Sequence, residues 1–197
     1  MSQSGRGAVF LSASAERATE WVRGGVVPCH VIEHAAWSIV VPAVARTEVE
    51  APYDDALTVL ASRYVGTRLA PAIGLFRIDD VVAVTARAAG RAPTRWALRA
   101  EDGAIVPGPD LPRLTPDGLH RALGSGAPTR EIPVRAVREL WARRDLPHDA
   151  WLVEAATVLG LPGARVVSGA DTDLGRVVLP TARSISTFES AVKDVHQ

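Results

Sequence analysis

Lysine and cysteine are almost missing from this chain of 197 residues. Among 22 basic residues only Lys193 is a lysine. The lysine of phosphate-binding loops and the Schiff-base lysine of pyridoxal enzymes are therefore excluded unless the C-terminal tail folds back. Cys29 is the single cysteine, which rules out an intrachain disulfide, a four-cysteine zinc site and a cysteine-ligated iron–sulfur cluster. The sequence also lacks a G-x-S-x-G nucleophile motif and a dinucleotide-binding glycine loop, so we expect no cofactor.

The chain has no excess of charge of either sign and no long hydrophobic run. Its 22 basic residues balance 22 acidic ones, whereas broad affinity for nucleic acid needs clustered positive charge over a large area. The apolar run at 8–11 is too short for a secretory signal, and no stretch approaches the roughly 20 apolar residues of a membrane span. We therefore expect a cytoplasmic protein for which neither a membrane nor nucleic acid is a favoured partner.

The apolar periodicities predict alternating strands and helices in the first half of the chain. Ser12 or Ser14 suits the N-cap of a first helix, and Pro52 suits the first turn of a second. The apolar stripe of the second helix runs from Leu57 to Tyr64. The predicted strands lie at 8–11 before the first helix, at 26–33 and 37–41 between the helices, and at 72–78, 81–86, 95–99 and 104–106 after the second.

This order of strand, helix, two strands, helix and strand resembles the ferredoxin-like β-α-β-β-α-β motif, with extra antiparallel hairpin strands after it. The resemblance implies an α+β fold in which two helices cover one face of an antiparallel sheet. A cluster of prolines from Pro107 onward marks a boundary, and the chain beyond it is mainly helical, with short strands expected at 166–167 and 177–179. We divide the chain into a mobile tail at 1–7, an α+β module at 8–106, a Pro/Gly-rich connector with one short helix at 107–133, and a mostly helical C-terminal portion at 134–197.

The letters H-x-x-E-H occur at His30 to His34, with Glu33 beside the second histidine. In inverted zincin metalloproteases both histidines of this motif lie on one helical face and share a zinc ion. Here the neighbouring residues are β-branched and favour a strand, on which four residues span roughly 13 Å. No single ion bridges that distance, so we expect no metal site and assign no catalytic residue.

Four arginines fall within thirteen residues that contain no acid: Arg87, Arg91, Arg95 and Arg99. Arg95 and Arg99 point to one face of a strand, while Trp96 points to the other and is expected in the core. Such guanidinium groups can hold a phosphate or carboxylate bidentately, or can keep a sheet edge solvated and so discourage aggregation. These four residues are our candidate binding site for a small anionic ligand.

The absence of catalytic and cofactor motifs favours a non-catalytic intracellular interaction or regulatory protein. Its expected partner is another protein or a second copy of the chain, joined through a sheet edge. Two alternatives stay open. The first is a small hydrolase or transferase that uses His30 or His34 with Glu33, and the second is an anion or nucleic-acid binder that uses the patch from Arg87 to Arg99.

Overall fold

The computed structural model of the chain describes residues 5–126 and 132–195, and the predicted mixed α+β class is confirmed within them. The strands there are β1 (Arg6–Leu11), β2 (Cys29–His34), β3 (Trp37–Pro42), β4 (Ala72–Ile78), β5 (Val81–Arg87), β6 (Arg95–Arg99), β7 (Ile105–Val106) and β8 (Val177–Val178). The helices are α1 (Ala15–Arg23), α2 (Ala56–Ser62), α3 (Pro116–Gly124), α4 (Val134–Ala142), α5 (His148–Val158), α6 (Ala164–Val167) and α7 (Ala182–Val195). None of these helices is both long and apolar enough to cross a membrane.

All the strands belong to one antiparallel sheet, in the order β7-β6-β5-β4-β1-β3-β2-β8. Tight turns join β2 to β3 and β4 to β5, and Ala35 and Asp79 in these turns have φ values of 52° and 49°. Aspartate tolerates this left-handed conformation better than most residues do. Both edge strands have only two residues, and short edge strands limit pairing with another sheet.

Helices cover both faces of the sheet, so the fold has three layers. Alternate strand residues point to opposite faces. Phe10 and Leu75 face the layer formed by α3 to α6, whereas Leu11 and Phe76 face α1, α2 and α7, and all four side chains are fully buried. The first two helices, α1 and α2, lie on one face, and α3 to α6 of the C-terminal half cover the other. The continuous apolar run of β1 is consistent with helices on both faces of the sheet, because a strand buried on both faces needs apolar residues at successive positions.

The C-terminal helices share a hydrophobic core with the sheet. Trp151 of α5 is fully buried, and its indole Nε1 donates a hydrogen bond of 3.1 Å to the carbonyl oxygen of Leu140 in α4. Strand β8 also pairs with β2 at Cys29 and His30. The described part of the predicted portion at 134–197 thus packs against the α+β module, while residues 127–131 of the connector lie outside the described ranges.

Helix α2 begins later than Pro52 predicts and ends earlier than its apolar stripe predicts. Pro52 does not occupy the first turn, because the Asp55 carboxylate caps the helix by accepting a hydrogen bond of 2.7 Å from the Thr58 backbone N–H. The helix ends at Ser62, so Tyr64 lies beyond it and is 69% exposed instead of buried. This places the Tyr64 ring on the surface beside α1.

Two further boundaries differ from the prediction. Strand β1 begins at Arg6, so the predicted mobile tail at 1–7 is wrong at its inner end, and residues 1–4 lie outside the described ranges. Residues 166–167 belong to α6 and not to a strand. The residue before this helix, Gly163, has φ of 77°, and packing against the core overrides the β preference of two valines.

Candidate functional site

The H-x-x-E-H residues lie on β2, so their predicted extended conformation is confirmed. His30 and His34 point to one face of the sheet and Glu33 to the other. The Nδ1 atom of His30 lies 3.0 Å from the carbonyl oxygen of Gly175. Among residues 5–126 and 132–195, no group of three or more His, Cys, Asp or Glu side chains could hold a metal ion. The structure does not bring together the residues that the hydrolase alternative requires.

The four candidate arginines are not brought together either. Arg87 ends β5 on the face that α2 covers, whereas Arg95 and Arg99 of β6 point to the opposite face. Arg87 and Arg99 are only 4% and 1% exposed, while Arg91 and Arg95 lie on the surface. The patch is thus divided between two layers of the fold, and Arg91 and Arg95 are its surface cations.

Arg99 stabilises the loop between α4 and α5. Its Nη2 atom donates hydrogen bonds to the carbonyl oxygens of Arg143 and Leu146, at 3.4 and 2.5 Å. The guanidinium carbon lies 5.7 Å from the centre of the Trp151 ring. Burial lowers the pKa of Arg99, because the surrounding side chains keep its charge away from water. These contacts give Arg99 a structural role in the helical layer.

An open groove of about 570 Å³ lies between α1 and the segment that follows α2. The rings of Trp21 and Tyr64 line it, and Glu20 is the carboxylate in its lining. Three arginines also line the groove, namely Arg17, Arg63 and Arg68. Grooves of this volume accommodate small ligands, and arginines beside aromatic faces are suited to a planar anion.

The local sequence of α1 places its groove residues on one face. Ser14 caps the helix by accepting a hydrogen bond of 3.5 Å from the Arg17 backbone N–H. Arg17 and Trp21 are then four residues apart and lie one above the other on the helix surface. The indole Nε1 of Trp21 donates a hydrogen bond of 2.9 Å to the carbonyl oxygen of Tyr64. This bond fixes α1 against the segment after α2 and forms the groove between them.

Arg63 lies between the groove and the interior. Its guanidinium carbon is 4.1 Å from the centre of the Trp21 ring, and its Nη2 donates a hydrogen bond to the Trp21 carbonyl oxygen. The guanidinium also covers Gly25 so closely that a Cβ atom there would overlap it. Burial lowers the pKa of Arg63 to about 10. In the part of the chain that the structure describes, no carboxylate lies within 4.0 Å of Arg17, Arg63 or Arg68.

Sequence reasoning missed this groove. Tyr64 matches the apolar stripe of the second helix, because it lies seven residues after Leu57, and nothing in that pattern indicates an exposed ring. Arg17, Arg63 and Arg68 are dispersed along the chain, so no local charge cluster marks them. The helical spacing of Arg17 and Trp21 was the one available signal, since it places a cation beside an aromatic ring.

The chain matches no protein-family model, no curated protein and no solved structure in comparisons of all three kinds. No activity can therefore be transferred to it from a relative. The functional interpretation depends on the geometry and the charge of the groove.

Proposed function

We propose that this protein is a non-catalytic binding protein that takes up a small planar organic anion in the groove between α1 and the segment after α2. One observation carries the proposal, namely that three arginines and the rings of Trp21 and Tyr64 line the same open groove. Guanidinium groups bind carboxylates and phosphates through paired hydrogen bonds, and exposed rings stack on planar groups. In such a regulatory protein the bound anion acts as a signal and not as a substrate.

The position of Arg63 supports binding of an anion. The Trp21 ring and the Trp21 carbonyl oxygen hold its guanidinium in place before any ligand arrives. A side chain that is already ordered loses less conformational entropy when it binds, so more of the interaction energy appears as affinity. Arg17 and Arg68 are exposed and supply additional charge at the mouth of the groove.

Calorimetric and NMR titrations of the full chain test the proposal, with adenosine monophosphate as the probe. This compound carries both a planar ring system and an anionic group, whereas adenosine and inorganic phosphate each carry one of the two. We expect adenosine monophosphate to bind more tightly than either, with shifts in the backbone amide signals of Trp21 and Tyr64. A titration in which none of the three compounds perturbs these signals contradicts the proposal.

Substitution of groove residues locates the binding site. Arg68→Gln removes one charge-assisted contact, so we expect affinity for adenosine monophosphate to fall about tenfold with little change in stability. Arg91→Gln is the matched control, since Arg91 is also an exposed arginine but lies outside the groove. If Arg91→Gln weakens binding and Arg68→Gln does not, the predicted patch is the site and the groove is not.

A second proposal is self-association through the edge of the sheet. Strand β8 pairs with β2 at Cys29 and His30, so residues 31–34 lie at the edge in the described part of the chain. An uncovered strand edge can pair with a second copy, although Glu33 adds charge that opposes such pairing. Light scattering at increasing protein concentration measures the mass in solution. A dimer supports this proposal, and a monomer at the highest soluble concentration contradicts it.

We also propose that residues 6–78 form a ferredoxin-like unit. The order β1-α1-β2-β3-α2-β4 along the chain supports it, as do the strand order β4-β1-β3-β2 and the position of α1 and α2 on one face. An intracellular location, expected from the sequence, remains part of the proposal. The buried thiol of Cys29 is compatible with it, because reducing compartments keep thiols free.

A further inference from the structure

A small cavity lies between α2 and the sheet, and Arg63 lines both this cavity and the groove. The volume of the cavity is about 10 Å³, which is close to the minimum that holds one water molecule. A single monatomic ion is of similar size. The hydroxyl-bearing residues Thr85 and Thr94 are part of its lining, and the remaining walls are mostly apolar. The cavity is therefore too small for a polyatomic ligand.

Two arginines line this cavity, and among residues 5–126 and 132–195 no acidic residue does. One is Arg87, whose Nε atom is buried without a hydrogen-bond partner among the described residues. The other is Arg63, whose Nη1 atom is buried and unpartnered in the same part of the chain. The remaining contacts of Arg87 are a hydrogen bond of 3.3 Å to the Gly90 carbonyl oxygen and the Tyr64 ring, 5.0 Å away. Buried donors of charged groups are strongly destabilising when they lack an acceptor.

The thiol of Cys29, an ionisable neighbour of Arg63, does not supply the missing negative charge. Burial raises the pKa of the Cys29 thiol to about 12, so the group is neutral at physiological pH. Its Sγ atom lies 3.3 Å from the Val27 carbonyl oxygen, to which it donates a hydrogen bond. Two arginines thus line one small cavity that no acidic residue lines within the part of the chain that the structure describes, and an unpaired buried charge favours a counter-ion.

We propose that this cavity binds a single monatomic anion, with chloride as the physiological ion. The Arg63 and Arg87 guanidinium groups donate to the ion, and the threonine hydroxyls are further donors in the lining. The ion then connects the end of α2 to β5 and stabilises the folded state. Arg63 lines both sites, but Arg87 lines only the cavity, so this inference does not rest on the groove ligand.

Urea unfolding of the full chain at constant ionic strength tests the inference, with sodium gluconate replaced stepwise by sodium chloride. Above the dissociation constant, each tenfold increase in chloride should raise the ratio of folded to unfolded protein by up to about tenfold. Bromide should act like chloride, whereas sulfate is too large to enter. Equal stability in chloride and gluconate overturns the inference.

Two arginine variants show whether the effect arises in the cavity. Arg87→Met should abolish the chloride dependence. Arg95→Met is the matched control, since Arg95 lies on the neighbouring strand and outside the cavity, and it should keep the full dependence. A chloride dependence that persists unchanged in Arg87→Met overturns the inference.

A direct measurement covers the case in which Arg87→Met fails to fold. Anomalous diffraction from a wild-type crystal soaked in sodium bromide should show a peak between Arg63 and Arg87, and a map without it overturns the inference. The groove is assessed separately by Arg68→Gln, which should lose affinity for adenosine monophosphate while keeping its chloride response. If adenosine monophosphate binds and chloride has no effect, the cavity inference fails and the groove proposal stands.

Discussion

Buried arginines lie on both faces of the sheet, but their surroundings differ. On the face covered by α3 to α6, Arg99 donates to two loop carbonyl oxygens. Burial lowers the pKa of Arg99, and Asp102 and Asp145 partly oppose this effect through their negative charges. On the face covered by α1 and α2, Arg63 and Arg87 line a cavity to which no acid of the described ranges contributes. Burial of an arginine is thus not by itself a sign of a ligand.

The difference shows which feature distinguishes a binding residue from a structural one. Arg99 also keeps two buried nitrogen atoms without partners among the described residues, so unpartnered donors alone do not separate the two cases. What separates them is the charge of the surroundings, because nearby carboxylates reduce the need for a counter-ion around Arg99. Arg63 and Arg87 line one small cavity that no described acidic residue lines, and an anion there would compensate their positive charge.

The largest effect is expected from Arg99→Met. The substitution leaves the carbonyl oxygens of Arg143 and Leu146 without their donor and removes a contact with Trp151. We expect the free energy of unfolding to fall by about 3 kcal/mol, measured by urea denaturation. Arg95→Met, on the exposed end of the same strand, should change it by less than about 0.5 kcal/mol. Equal effects of the two variants would show that Arg99 does not stabilise the loop.

An intermediate effect is expected from raising the pH, because Cys29 titrates differently in the folded and unfolded chains. Its thiol has an ordinary pKa of 9.0, and burial raises this pKa to about 12 in the folded protein. Above pH 9 the unfolded chain therefore loses a proton that the folded chain keeps, so the stability falls as the pH rises. From pH 9 to pH 10 the expected loss is about 1 kcal/mol, seen in urea unfolding curves.

The Cys29→Ala variant is the control for this pH dependence. The two proteins differ only at this side chain, so the difference between their stability curves isolates the contribution of the thiol. Measurements should stop near pH 10, because the lowered pKa of Arg63, about 10, acts in the opposite direction above it. Parallel stability curves for the two proteins would mean that Cys29 is not buried as the structure shows it.

Local signals predicted much of the sheet. The hairpin of β4 and β5 was predicted almost to the residue, because two apolar runs flank the turn at Asp79 and Asp80. The extended conformation of β2 followed from its β-branched residues in the same way. Each of these features depends on neighbours in sequence, and for that reason a single sequence contains the information.

Features that depend on distant residues could not be predicted in this way. The dense local charge around Arg87 and Arg99 indicated a solvated surface, yet their strands bury both side chains beneath helices from other parts of the chain. The groove likewise forms only when α1 packs beside the segment that contains Arg63 and Arg68. Periodicity describes which face of an element is apolar, but it does not identify what covers that face.

The smallest change in stability is expected from Gly25→Ala. The same variant tests directly whether Arg63 contributes to binding in the groove. A Cβ atom at Gly25 would overlap the Arg63 guanidinium, which must move away from the Trp21 ring. The end of a flexible side chain can move at small energetic cost, so we expect the free energy of unfolding to fall by less than about 1 kcal/mol. Affinity for adenosine monophosphate should fall several-fold in calorimetric titrations, because the displaced guanidinium is no longer ordered. In Gly124→Ala the new Cβ would meet no atom within 4 Å and lies outside the groove, so this variant controls for the change of residue type. Equal affinities in the two alanine variants would mean that Arg63 does not contact the ligand, and the anion would then be held by Arg17 and Arg68 at the mouth of the groove.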